Sequence, residues 1–343
     1  MFENINLEYS ILLIKSIGKK SFQCLGDLAG KSRPTISRLL PSAEQNFESM
    51  KKIAQTFFYQ KSELVLVFDD TLIKKMHSHF MRGSGKFYDS KIGRRIMAYK
   101  LLCSAITDGN YIFPLQCLYL FSPEFKPEIM QSKSDIVKQM YLYAKAIFPD
   151  KKIFVAADGA FATEEILTWC IKHQILAEMR MAKNRTVWYK NKKQALSKIF
   201  DLQPKGRHKA RTIKVIWHEL SLYITAQKRI DKHGDETIVY QVSTYAAKPS
   251  KHVAIYKKRW PIEKMFRTTK QHLGLQECFS TKMDAQLNHV TSVFLAYALL
   301  ELERKVQKLP TPEAAIRSLK PRKISSLKQR INRLGDIFRG SYA

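Results

Sequence analysis

The sequence predicts a mixed α/β fold, in which a β-sheet is flanked by helices, with a β-rich insertion and a helical N-terminal segment. Short, continuous apolar runs that end in aspartates, at residues 64–68 and 153–157, are typical of strands buried on both faces. Helical periodicity precedes, separates and follows these runs. Residues 184–250 are instead rich in Lys, Arg and β-branched residues with alternating apolar positions, which indicates antiparallel strands with one solvated face.

Residues 1–60 are predicted to be helical, and residues 22–40 within them have the pattern of a helix-turn-helix. Gly30 is expected to end the first helix, and the serine two positions later to cap the second. This arrangement leaves Arg33 and Arg38 facing outward, where they would contact DNA. A small helical hairpin that only packs against the rest of the protein explains the same pattern, so both interpretations stay open.

Residues 61–183 carry the strands and helices of the predicted sheet. In chain order the predicted elements are strands at 64–68, 95–107 and 111–120, a helix at 132–148, a strand at 153–157, a helix at 163–173 and a strand at 175–181. Hairpin strands followed by strand–helix units make a mixed sheet with helices on its faces. This order of elements is typical of a ribonuclease-H-like domain.

Changes of composition and periodicity divide the chain into four predicted segments. They are a helix-turn-helix-like DNA-binding segment (1–60), a ribonuclease-H-like domain in two parts (61–183 and 251–308), a β-rich insertion (184–250) and a basic C-terminal tail (309–343). The two parts of the domain are expected to fold together around the insertion.

The charge of the chain predicts a polyanionic partner. Its 343 residues include 59 Lys and Arg against 30 Asp and Glu, a formal net charge of +29. Such an excess repels itself in a compact fold unless a partner neutralises it, and the phosphates of DNA or RNA are the simplest partner. A generally basic surface, as in ribosomal or membrane-associated proteins, is the alternative, but the interleaving of basic with aromatic residues favours nucleic acid.

The same composition predicts a cytoplasmic, nucleoid-associated protein without a membrane partner. No apolar stretch reaches the length of a transmembrane helix. The 5 cysteines show no CxxC spacing, and no signal peptide is evident, which is typical of a reduced intracellular protein.

Two aspartates follow predicted buried strands. Asp69 follows the strand at 64–68, and Asp158 follows the strand at 153–157. A mixed sheet can place such strand ends side by side, and carboxylates held there bind hard divalent cations. Each aspartate alone also fits a turn or a helix cap, and Asp70 competes with Asp69 for the same role.

A second group of polar residues lies late in the chain. Tyr256, Arg259, Glu263 and Lys270 are three, four and seven positions apart, offsets that share one face of a helix. A solvated helix face with an ion pair between Arg259 and Glu263 is the simpler interpretation, and such a pair contributes little to stability.

Pro261 lies inside this group and complicates both interpretations. It lacks a backbone donor and disfavours helix in the residue before it, so the helix is expected to begin or kink near Trp260. Trp260, Ile262 and Phe266 are the apolar positions between the polar ones, an arrangement that is unusual for a surface helix.

The spacing of the four polar residues resembles the signature of a large group of bacterial insertion-sequence DDE transposases, the family-four type. The flanking segments RWPIE and KQHLGL resemble the same group. The Asp-Asp-Thr at 69–71 resembles its first aspartate motif, AADGAF at 156–161 resembles its second, and a β-rich insertion between the second aspartate and the glutamate is a trait of the group. The resemblance covers about residues 60–305.

The resemblance implies a catalytic site as well as a fold. Asp69, Asp158 and Glu263 would hold two Mg²⁺ ions, or Mn²⁺ in their place, which activate water or a DNA 3′-hydroxyl and stabilise the leaving oxygen. Tyr256, Arg259 and Lys270 would grip phosphates beside the cut; Arg forks and Lys point charges suit phosphate oxygens.

The implied partners are double-stranded DNA with transposon terminal inverted repeats, and target DNA, bound by a homodimer. The implied reaction is cleavage of the transposon ends followed by strand transfer. Two alternatives remain, a transposase-derived DNA-binding protein without catalysis and a metal-dependent DNA nuclease. Loss of a carboxylate would mark the first, and none is missing; the second does not require Tyr256 and Lys270 at these spacings.

The insertion contains Trp188 and Trp217 among basic residues. Group members often cut through a DNA hairpin, which bends DNA tightly, and an aromatic face can hold a base that is flipped out of the bend. Trp217 alternates with apolar residues of one predicted strand and is expected to pack inside. Trp188 lies in a basic stretch and is the candidate for the base.

Overall fold

The computed structural model of the protein describes residues 7–76, 81–122, 131–200, 210–230, 234–327 and 329–330. The strands among them are β1 (Glu63–Lys74), β2 (Gly85–Asp89), β3 (Arg94–Thr107), β4 (Ile112–Leu120), β5 (Lys152–Ala157), β6 (Leu176–Met181), β7 (Thr186–Tyr189), β8 (Lys192–Ala195), β9 (Ala210–Trp217), β10 (Leu220–Ile230) and β11 (Glu236–Ser243). The helices are α1 (Glu8–Lys15), α2 (Phe22–Ala29), α3 (Arg33–Arg38), α4 (Ala43–Phe57), α5 (Lys133–Ile147), α6 (Glu164–Lys172), α7 (Leu196–Ile199), α8 (Pro249–Lys257), α9 (Pro261–His272), α10 (Met283–Val306) and α11 (Pro312–Leu319).

The centre of the fold is a mixed sheet with the strand order β4-β3-β1-β5-β6. β1 pairs with β5 and β5 with β6 in parallel, whereas β3 pairs antiparallel with β1 and with β4. Apolar side chains fill β1 from Leu64 to Phe68, as expected of a strand covered on both faces. This mixed sheet flanked by helices is consistent with the predicted ribonuclease-H-like fold.

The strands of the insertion continue this sheet. β11 pairs antiparallel with β6, and β10, β9, β7 and β8 follow in that order within the described residues. The alternation predicted for β9 is confirmed, because Ile213, Val215 and Trp217 are all buried. The sheet therefore runs without a break from the centre into residues 184–250, and the division of the chain into segments stays a prediction.

Helices cover both faces of the sheet around β1. Neighbouring strand residues point to opposite faces, so Asp69 and Asp70 mark the two sides. Asp70 lies near Lys133 at the start of α5, and Asp69 lies near Arg259, which precedes α9. Behind α9, helix α10 packs against α1, α4, α11 and β4 and is buried along most of its length. No helix in the described part of the chain is long and apolar enough to cross a membrane.

The N-terminal helices have the predicted caps. Gly30 ends α2 in the left-handed conformation, with φ of 62°, and the side chain of Ser32 accepts a hydrogen bond from the backbone N–H of Thr35 in α3. Ile36 is buried against the core, and Leu28 is exposed. Two short helices joined by a tight turn are thus present, and the helix-turn-helix assignment and its DNA binding stay predictions.

Two local predictions were wrong or incomplete. The short strand β2 was not predicted because its alternation is weak and its residues are largely polar. β1 continues to Lys74, so Asp69 lies inside the strand and not at its end. Of the predicted basic tail, α11 is helical, and residues 331–343 lie outside the described residues.

Candidate active site

The parallel pairing of β1 with β5 places two aspartates side by side. Phe68 pairs with Ala157, so the next residues of the two strands, Asp69 and Asp158, point to the same face of the sheet. Their proximity is visible in the electrostatics, because the Asp158 carboxylate helps to raise the pKa of Asp69. Asp158 also caps a short turn, since its Oδ1 accepts a hydrogen bond of 2.8 Å from the backbone N–H of Ala160.

Asp69 lies in an environment that disfavours its charged form. Its side chain is only 18% exposed. Burial, and then the neighbouring Asp158, raise the pKa of Asp69 to about 7, against the opposing effect of Arg259. A carboxylate in this position therefore attracts cations.

Asp70 points to the other face, where lysines already neutralise it. Its Oδ2 lies 3.1 Å from the Nζ of Lys100 and 3.7 Å from the Nζ of Lys133. Of the two alternatives left open by the sequence, Asp69 is thus the one that shares a face with Asp158. Neither lysine was singled out from the sequence, because their role depends on which face of β1 each aspartate occupies.

Arg259 joins Asp69 to Glu263. Its Nη2 donates a hydrogen bond to Oε1 of Glu263, and its Nη1 lies 3.7 Å from Oδ2 of Asp69. Arg259 is largely buried, whereas the Glu263 side chain is 37% exposed. Among the described residues no three His, Cys, Asp or Glu side chains form a ready metal site. The positively charged guanidinium of Arg259 contacts two of the three predicted ligands, Asp69 and Glu263. The space between these carboxylates therefore suits a positive ion.

The helix of the four signature residues is broken, as Pro261 predicted. Tyr256 belongs to α8, Arg259 lies in the turn that follows, and α9 begins at Pro261 and carries Glu263 and Lys270. Tyr256 is buried, and its ring lies 5.8 Å from the guanidinium carbon of Arg259. Burial raises the pKa of Tyr256, and the charge of Asp158 adds to the effect, so the phenol lies near the carboxylates.

Lys270 lies among other lysines. It is half-buried, and burial together with the charges of Lys91 and Lys74 lowers its pKa to about 8. Because Lys74 is ion-paired with Asp89, an anion placed there would be favoured mainly by Lys270 and Lys91. The spacing of the signature residues did not indicate this cluster, because Lys74 and Lys91 come from β1 and from the turn after β2.

Trp260 differs from the other apolar residues of this segment. Ile262 and Phe266 are buried, but Trp260 is 54% exposed. It immediately precedes Pro261 at the start of α9, so its ring stays outside the core, three positions from Glu263. The apolar character of tryptophan hid this possibility in the sequence.

Sequence reasoning also missed Arg180. Ala157 of β5 pairs with Met179 of β6, so Arg180 continues the row that Asp69 and Asp158 begin. Arg180 lines a groove of about 520 Å³ together with Gly159, Lys183 and Arg185. A charged residue near the end of an otherwise buried strand was the available signal.

The remaining predicted residues lie on other elements. Arg33 and Arg38 are exposed on α3. Trp188 of β7 is 49% exposed beside Ile216 of β9, whereas Trp217 is 4% exposed and packs within the insertion. These positions agree with the surface roles expected of the arginines and of Trp188, and the roles themselves stay predictions.

The paired aspartates, the neighbouring glutamate and the basic surroundings define a carboxylate site of the kind that processes nucleic acid with metal ions. The comparison with protein families makes this class specific. The family model described as transposase DDE domain matches residues 60–299, and the chain belongs to this family. Family membership makes the protein a transposase, a nuclease-type enzyme of DNA recombination, and implies that it binds DNA; transposases of this type generally use divalent metal ions. The comparison with curated proteins gave no match.

The raised pKa of Asp69 predicts how stability depends on pH. Because the folded pKa of about 7 exceeds the ordinary value of 3.8, the folded protein holds a proton that the unfolded chain has released, and stability falls as pH rises from about 4 to 7. Asp69→Asn should remove this fall and stabilise the metal-free protein at pH 8 by about 1–4 kcal/mol, and by less than about half as much at pH 5. Denaturant unfolding in EDTA at both pH values measures the difference.

The matched control is the neighbouring variant Asp70→Asn. It removes a carboxylate that is already paired with Lys100 and Lys133, so no gain at pH 8 is expected. If the two variants gain equal stability at pH 8, the unfavourable buried charge does not belong to Asp69.

Proposed function

We propose that this transposase cuts the ends of a mobile DNA element and joins them to target DNA, with Asp69, Asp158 and Glu263 as the ligands of two Mg²⁺ ions. We assign it to the family-four-type insertion-sequence transposases with the Tyr256, Arg259, Glu263 and Lys270 signature. The observation that supports this most is the contact of one guanidinium with Asp69 and Glu263, beside Asp158, within a transposase DDE domain.

The donor set fits divalent metal ions. It consists of carboxylates, the ligands that Mg²⁺ and Mn²⁺ prefer, and the buried charge at Asp69 lacks full compensation. Bound metal supplies the activation of a water or DNA 3′-hydroxyl and the stabilisation of the leaving oxygen. Asp69 and Asp158 are fixed by the sheet, and Glu263 is delivered by α9. Arg259 reaches the same place with a planar fork of donors, which suits the phosphate that must lie against the carboxylates.

The DNA-binding surface extends beyond the carboxylates. Lys270 with its neighbouring lysines, and the groove lined by Arg180, would hold phosphates on either side of the cut. Arg33 and Arg38, exposed on α3, would contact the terminal inverted repeats. We further propose a homodimer on DNA and association with the nucleoid, in line with the net charge of +29. All three carboxylates are present, so no observation favours the inactive alternative.

Removal of any one proposed metal ligand should abolish chemistry and leave DNA binding intact. Asp69→Asn, Asp158→Asn and Glu263→Gln are each expected to lower DNA cleavage about 10³-fold or more, because metal ions contribute several kcal/mol to such transition states. Cleavage of a supercoiled plasmid carrying the DNA that flanks the gene, in MgCl₂ or MnCl₂, measures the effect.

Asp70→Asn again serves as the control. Its charge faces the lysines of the opposite side, so cleavage should stay within about tenfold of the wild-type rate, which is about 1.4 kcal/mol. If Asp70→Asn is inactive and Asp69→Asn is active, the first ligand is Asp70 and the assignment made here is wrong.

DNA binding should weaken steeply with salt, and α3 should contribute to that dependence. Each Lys or Arg that contacts a phosphate displaces counterions, so a plot of log affinity against log salt concentration should have a steep slope. The double variant Arg33→Ala/Arg38→Ala is expected to reduce this slope by about 2. Affinities measured by fluorescence anisotropy at several salt concentrations test both statements.

Lys145→Ala/Lys151→Ala is the control with the same loss of charge. These lysines lie at the end of the sheet opposite the carboxylates and are bonded to backbone carbonyls there. An unchanged slope for the α3 variant, or an equal change in both variants, contradicts DNA binding by α3.

The proposed role of Trp188 concerns one step of cleavage. If its exposed ring holds a flipped base during hairpin formation, Trp188→Ala should leave first-strand nicking unchanged and slow hairpin formation about 5- to 150-fold, the equivalent of 1–3 kcal/mol. Denaturing gels separate nicked from hairpin products. Tyr59→Ala removes another exposed aromatic ring and should change neither step. Loss of both steps, or of neither, in Trp188→Ala rules out the role.

A further inference from the structure

A buried polar cluster lies beneath α8, the helix that carries Tyr256. Glu178 of β6, Ser243 of β11 and His252 of α8 are all fully buried. Nδ1 of His252 lies 2.5 Å from Oε1 of Glu178, and the hydroxyl of Ser243 donates to the other carboxylate oxygen at 2.6 Å. Each of the three elements thus contributes one side chain to a single hydrogen-bonded group.

Two elements, β6 and α8, connect the cluster to the candidate active site. Glu178 and Arg180 are two positions apart on β6 and share a face of the strand. His252 and Tyr256 are four positions apart on α8 and share a face of the helix. The charges of Arg180 and Asp158 both influence the pKa of Tyr256. Arg180 of β6 and Tyr256 of α8 therefore lie close to each other and to Asp158.

The cluster is a poor device for stability alone. A buried ion pair or polar group costs desolvation energy, and apolar residues of similar volume are often as stable or more so. In the described residues, Nε2 of His252 and the side-chain amide of the adjacent, buried Gln241 have no hydrogen-bond partner, which adds to the cost. The cluster instead orients α8. This helix has no side-chain cap at its start, and the hydrogen bond between His252 and Glu178 fixes its position on β6.

We propose that Glu178 and His252 are positioning residues, which hold α8 against β6 so that Tyr256 and Arg180 are aligned beside Asp158 for DNA cleavage. The inference rests on the proposed function of the carboxylate site. It assigns the two residues no contact with DNA or metal, and their effect passes through Tyr256 and Arg180.

The test replaces the polar cluster by an apolar one of similar volume, in Glu178→Met/Ser243→Ala/His252→Phe. Single-turnover cleavage of the plasmid with the gene's flanking DNA should fall about 10²-fold, the usual cost of a misplacement near 1 Å. The DNA concentration at half-saturation should change less than about twofold, and the denaturation midpoint should not fall. Glu301→Gln changes a buried glutamate bonded to Tyr297 and Arg304 and should leave cleavage unchanged.

A conservative series decides the matter even if the triple variant folds poorly. His252→Asn keeps a donor for Glu178 and should retain more cleavage than His252→Ala, by about tenfold or more, at equal DNA affinity, the equivalent of about 1.4 kcal/mol. Equal rates for these two variants, or cleavage that falls only in proportion to the folded fraction, overturn the positioning role. If the wild-type protein cleaves DNA and all variants cleave it equally well, this inference alone is overturned. Wild-type protein that fails to cleave overturns the proposed function, and the positioning role with it.

Discussion

The register of the parallel strands β1, β5 and β6 is the constraint on which the site depends. Phe68 pairs with Ala157, and Ala157 pairs with Met179, so the residues that follow them share one face of the sheet. A slip of one residue between β1 and β5 would move Asp69 to the other face of the sheet and place Asp70 beside Asp158 instead. Residues 64–68 of β1 are apolar on both faces and suit either register, so the register is distinguished by the polar residues that follow, Asp69 beside Arg259 and Asp70 beside Lys100.

This register brings like charges together, and the rest of the site compensates for them. Two carboxylates held side by side by neighbouring strands repel each other, and burial of Asp69 adds to the cost, as its raised pKa shows. Arg259 relieves part of this strain by contacting Asp69 and Glu263. Sites that bind charged ligands commonly carry such uncompensated charge, because the ligand supplies the missing countercharge when it binds.

Much of the fold could be predicted because its signals are local. The buried run before Asp69, the left-handed Gly30 and the break at Pro261 each follow from a few neighbouring residues. The choice between Asp69 and Asp70 could not be made, because it depends on which helix covers each face of β1. The pairing of β11 with β6 was hidden for a similar reason, since a contact across about 60 residues leaves no local pattern.

The break at Pro261 explains how four residues in one short segment serve a compact site. On a continuous helix, the 14 steps from Tyr256 to Lys270 would span about 21 Å, and the four side chains would form a line along one face. The turn between α8 and α9 separates them instead. Tyr256 lies near Arg180, Arg259 lies in the turn, and Glu263 lies in the first turn of α9, where Arg259 joins it to Asp69. The spacing of the signature therefore reflects two helices and a corner, and the corner residue is the one that contacts both carboxylates.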